Sequence, residues 1–110
     1  MNITQKQEGG IDIFSLNGRF DAHCAADVEE KLNDAISRGA RKLLLNLEGT
    51  EYISSAGLRV LLAIAKKLKK EGGQIKLCSL QPYVQEVFDV AGFTQIFTIC
   101  KNLEEAVGDF

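Results

Sequence analysis

The chain has 110 residues, 45% of them hydrophobic, which is enough for one core, so one domain over residues 1–110 is expected. A formal net charge of −2 and an isoelectric point of about 5.4 argue against direct binding of nucleic acid, whose phosphates call for a basic surface. No apolar run approaches the roughly 20 residues of a membrane span, and "MNITQKQEGG" lacks the basic-then-apolar pattern of a secretion signal, so a cytoplasmic chain without membrane contact is expected.

In chain order, "NITQKQ" and "IDIFSLNG" bracket Glu8-Gly9-Gly10 and alternate as strands do, which predicts an opening hairpin. Gly18 to Ala22 reads as a loop. From Ala25 the apolar positions Ala25, Val28, Leu32, Ala35 and Ile36 recur at helical spacing, and the helix is expected to stop before Gly39. "RKLLLNL" is a continuous apolar run, the pattern of a central strand covered on both faces. "EGTEYI" is expected to lead as a loop into Ser54 and Ser55, after which Leu58, Leu61, Leu62, Ala65 and Leu68 mark a longer helix.

That helix ends in Lys66, Lys67, Lys69 and Lys70, a solvated face favoured by the helix dipole, and Gly72-Gly73 stop it. "QIKLCSL" is the next strand, Pro82 opens a third helix through "PYVQEVFDVAG", "TQIFTI" is a last short strand, and Leu103 to Val107 form a short terminal helix. The order β-β-α-β-α-β-α-β-α predicts an α/β fold with a mixed, mostly parallel sheet of about five strands and about four helices. Cys24, Cys78 and Cys100 show no C-x-x-C spacing, so they read as reduced, buried small side chains, with no metal and no cofactor expected.

The serines fall where a strand's exit becomes a helix N-terminus, where α/β proteins place functional groups. One of them would cap the helix. A serine nucleophile would need a base and a G-x-S-x-G elbow; His23 is the only imidazole and the sequence reads Ile-Ser-Ser-Ala-Gly, so no enzyme is expected. Nucleotide binding would use the free helix N–H groups and Gly57, but the P-loop signature is absent. A fourth reading is a serine that receives a phosphate, whose charge the helix start would tolerate while repelling a bound partner.

"LNGRFDA", "KLLLNLEGTEYISSAGLRVLL", "GGQIKLCSL" and "VQEVFDVAGFTQIFTI" together resemble the STAS-domain anti-sigma factor antagonists of bacteria, over nearly the whole chain. The resemblance implies a single STAS-like domain. It also implies that the unphosphorylated protein binds an anti-sigma factor that is a serine/threonine kinase and frees the sigma factor; phosphorylation ends binding and a serine phosphatase restores it. In the family motif, Asp-Ser-Ser/Thr-Gly-Leu, the phosphorylated serine stands two residues before the glycine, which makes it Ser55, with Ser54 the lesser candidate. Here Ser54 stands in place of the motif aspartate and Ala56 in place of Ser or Thr.

Asp21 matches an acidic residue in the loop that the resemblance places beside the phosphorylation site, although it would serve equally as a turn or helix cap. Asp21, Ser54, Gly57, Leu58, Arg59 and Val60 are the expected partner contacts. Val60 and Ile64 lie off the main leucine stripe and mark either an interface or a wider core face. The alternative is a non-phosphorylated STAS scaffold or a module for a small anion or nucleotide. A monomer is expected.

Overall fold

The computed structural model describes residues 1–110. β1 (Asn2–Glu8) and β2 (Ile11–Phe20) form an antiparallel hairpin with Glu8 opposite Ile11. Its two-residue turn needs left-handed backbone at both central positions, which Gly9 (φ 57°) and Gly10 (φ 80°) supply without a Cβ penalty. α1 (Ala25–Ser37), β3 (Lys42–Asn46), β4 (Thr50–Ile53), α2 (Ser55–Lys70), β5 (Gln74–Cys78), α3 (Pro82–Val90), β6 (Thr98–Cys100) and α4 (Leu103–Gly108) follow.

The sheet has six strands in the order β1-β2-β3-β5-β6, with β4 paired to β2 off this path. Every pair after the hairpin is parallel. α1, α2 and α3 cover one face through Val28, Leu32, Leu61, Leu68, Val84 and Phe88, packed on Phe14, Leu16, Leu43, Leu45 and Leu77. α4 covers the other face, where Ile11, Ile13, Leu44, Cys78 and Cys100 meet Ala106. Leu43 and Leu45 thus serve one core and Leu44 the other, the both-sided burial that a continuous apolar strand implies.

Three local readings need correction. "EGTEYI" does not remain a loop: Thr50–Ile53 pairs with Gly18–Phe20, so β2 runs past the point where a loop was expected and the sheet gains a sixth strand. β3 and β4 follow one another along β2, separated by a turn in which Gly18 N–H donates to Gly49 O at 2.9 Å and the buried Thr50 hydroxyl donates to Leu16 O at 2.7 Å. The strand expected over "TQIFTI" starts only at Thr98 and runs one residue further, to Cys100, because Phe93–Gln95 forms a 3-10 turn. Val60, expected as a partner contact, belongs to the core, as does Ile64, so of the two readings left open for the pair the structure takes the wider core face. Together with Lys67, whose ammonium donates to Asn33 Oδ1 on α1 at 3.0 Å, they make the α2 face that α1 covers.

Cys78 and Cys100 are buried as expected, whereas Cys24 is only half-buried, in the turn before α1. No helix is long and apolar enough to cross a membrane.

Candidate functional site

Sequence chemistry divides the work of the adjacent serines. Ser54 has the extended backbone of an N-cap (φ −94°, ψ 172°), and its hydroxyl accepts from the Gly57 N–H at 3.2 Å. Ser55 is the first helical residue and is exposed. Ser54 therefore closes the helix end and Ser55 presents its hydroxyl to solvent. Removing the cap in Ser54→Ala is expected to lower stability by about 1 kcal/mol in a urea titration, with the fold unchanged; an unaltered midpoint would contradict the capping role.

α2 has sixteen residues, no acidic side chain in its first turn and Lys67, Lys69 and Lys70 in its last. Ser55 therefore lies at the positive end of a long dipole that no acidic side chain of α2's own first turn offsets. Arg59, four residues on, is exposed and shares a helix face with Ser55.

β2 and β4 hold this helix start in place. Ser54 N–H donates to Phe20 O at 3.0 Å, and a Cβ built on Gly57 would lie 2.9 Å from the same carbonyl oxygen. Glycine is required there because the helix start rests directly on the strand end. One residue further along, Asp21 Oδ1 accepts from His23 N–H at 3.0 Å, and Ala25 N–H donates to Asp21 O at 3.0 Å. Asp21 therefore shapes the turn that approaches α1, while its Oδ2 lies 3.8 Å from Arg19 Nε.

Arg19 also stands over the Tyr52 ring, 4.2 Å from its centroid, and Tyr52 stacks on Tyr83 of α3 at 6.4 Å. Arginine and tyrosine stacked at a surface give area at low entropic cost, the chemistry of interface anchors. Three cavities stand out, and none is lined by Ser54, Ser55 or Gly57. One of them, of about 580 Å³ and lined by Gln5, Asp12, Arg38 and Arg41, lies beyond the strands' opposite ends. Ser55 is exposed at a helix start outside these cavities, where a protein surface can reach it.

The family model described as STAS domain matches residues 2–106. The chain belongs to the STAS-domain family. It is 38% identical over 110 residues to BtrV of Bordetella bronchiseptica, named as a candidate anti-sigma factor antagonist, covering 100% of this chain and 95% of that one. It is 31% identical to the anti-sigma-B factor antagonist of Bacillus subtilis, covering 97% of each. In fold it matches the unphosphorylated form of the anti-sigma factor antagonist SpoIIAA with a TM-score of 0.84 at 23% identity, over 96% of this chain and 93% of that one. The phosphorylated form of SpoIIAA has the same fold, at a TM-score of 0.78 and 22% identity over 98% of each chain.

In this STAS domain, Asp21, Ser54, Ser55 and Arg59 gather around the start of α2. Gly57, Leu58 and Val60 are buried, so as expected contacts they have no face to offer a partner and act by seating the helix. Sequence reasoning missed Arg19, Tyr52 and Tyr83. A strand reading of Thr50–Ile53 would have revealed part of this group, because Arg19 and Tyr52 are register partners and both point away from the core.

Proposed function

We propose that this STAS domain is a cytoplasmic anti-sigma factor antagonist that binds a serine-kinase-type anti-sigma factor and is switched off by phosphorylation of Ser55. The observation that carries this reading is the split between the serines: Ser54 is consumed by the helix cap and Ser55 is exposed. The names of the Bordetella and Bacillus relatives supply the class of partner. The domain is a binding protein, and the chemistry is done on it.

In the switching step the Ser55 hydroxyl oxygen attacks the γ-phosphorus of ATP, the bond to the ADP leaving oxygen breaks, and the serine proton passes to a base on the kinase. The product carries a charge of about −1.5 to −2 at neutral pH. The positive end of α2 and the Arg59 guanidinium offset that charge within the domain, so the fold persists and the repulsion falls on the partner. Ser54 in place of the motif aspartate keeps the cap and removes a negative charge beside the reacting hydroxyl. Asp21, Arg19, Tyr52 and Tyr83 extend the docking surface around it, and a serine phosphatase resets the switch.

Incubation with the kinase-type anti-sigma factor, ATP and Mg²⁺ should add one phosphate that peptide mapping places on Ser55 and that Ser55→Ala does not acquire. Phosphate on another residue, or none from an active kinase in stable complex with the domain, would overturn the assignment.

A further inference from the structure

On the sheet face opposite α1, α2 and α3, two thiols meet. β5 and β6 run parallel with Cys78 opposite Cys100, so both side chains leave the sheet on the same side. Neighbouring strands lie about 4.8 Å apart, inside the roughly 4.4–6.8 Å range of Cα separations that a disulfide bridges. Both cysteines are free and buried, and Ser79 N–H donates to Cys100 O at 3.2 Å, tying the strand ends together beside them.

Their cover is α4, six residues long and too short to persist without packing. Its end is latched to the sheet by Lys76, which lies two residues before Cys78 on the same face and is 7% exposed. The Lys76 ammonium donates to Asp109 Oδ2 and to Asp109 O, both at 2.6 Å, and lies 4.8 Å from the Phe110 ring centroid. A buried ammonium held this way loses its partner when α4 lifts.

We infer that Cys78 and Cys100 form a redox-responsive dithiol gated by α4, which closes to an intrachain disulfide when the helix lifts and a peroxide reaches the pair. One sulfur attacks the peroxide, forming an S–O bond as the O–O bond breaks. The second sulfur then displaces the hydroxyl from it, and the S–S bond forms. Two thiols lose two electrons and two protons, and one hydrogen peroxide becomes two waters.

The latch accounts for the gating. Burial pushes both thiols above the usual cysteine range, and for Cys100 the carboxylates of Asp109 and Glu105 add to it. With α4 closed the pair is protonated and inert. Opening admits water, carries Asp109 and Glu105 away, and leaves the Lys76 ammonium beside the sulfurs, where it favours thiolate.

The test uses the full chain carrying Cys24→Ser, treated with hydrogen peroxide and followed by intact mass and non-reducing peptide mapping. A loss of two hydrogens and a linked Cys78–Cys100 peptide are expected, forming about tenfold faster in Asp109→Ala, the factor that loss of one charge-assisted hydrogen bond implies. Circular dichroism should show that this variant keeps its fold. Absence of the linked peptide in both chains, or its formation at one rate with and without Asp109, would overturn the inference. Neither outcome bears on Ser55.

Discussion

Gly57→Ala should lower stability by about 2 kcal/mol, and Gly57→Val by more, although alanine is the better helix former in isolation. The reason is contact. The added Cβ would stand 2.9 Å from Phe20 O, 3.0 Å from Ile53 Cγ1 and 3.1 Å from Phe20 Cδ1. The first of these is a backbone atom in a paired strand, and it also accepts the Ser54 N–H, so it cannot withdraw without loosening the cap residue. Valine adds branched bulk against Ile53 and the buried Phe20 ring. Urea titration should show a lower midpoint with an unchanged slope. An alanine variant as stable as the parent would mean that α2 does not rest on β2 in this way.

Phe88→Ala is expected to cost about 3–5 kcal/mol, the range for deleting a buried aromatic side chain. Phe88 is fully buried, with Phe93 at 6.1 Å and 86° and Phe97 at 6.2 Å and 69°, both edge-on. Phe93 and Phe97 are themselves 5.9 Å apart, so the three rings make a closed group that fastens α3 and the turn after it to the sheet. Removing the central ring leaves a cavity the other two cannot fill without moving backbone. Tyr83→Ala on the same helix removes an exposed ring and should change stability by less than about 1 kcal/mol. Similar losses for both variants in thermal or urea unfolding would contradict this account of the core.

Much of this organisation was legible in the sequence because periodicity is local. The stripe Val28, Leu32, Ala35, Ile36 reports a helix face from one segment alone, and "KLLLN" reports its both-sided burial in the same way. β4 was not legible, because Thr50–Ile53 is four residues long, is buried at both ends, and acquires its meaning only from Gly18–Phe20, some thirty residues earlier. Nor was the 3-10 turn at Phe93. Strand-forming residues there yield to an i→i+3 backbone bond from Ile96 N–H to Phe93 O at 3.0 Å, and the Phe93 and Phe97 rings pack against Phe88.

The site divides along the same line. Ser55 was proposed from a motif, and the cap chemistry of Ser54 follows from residue type. The burial of Val60 depends on α1 crossing over α2, and the Arg19–Tyr52–Tyr83 stack joins three separate elements, so neither could be read from a single segment.

The central claim is that a phosphate on Ser55 separates this STAS domain from its partner without unfolding it. Titration calorimetry of the kinase-type anti-sigma factor with the unphosphorylated domain, the domain phosphorylated at Ser55, and Ser55→Ala tests it most directly. Binding by the first and third at similar affinity, with the phosphorylated form weaker by about 100-fold, or about 2.7 kcal/mol, is the predicted result. Equal affinity of the phosphorylated and unphosphorylated domains would contradict it.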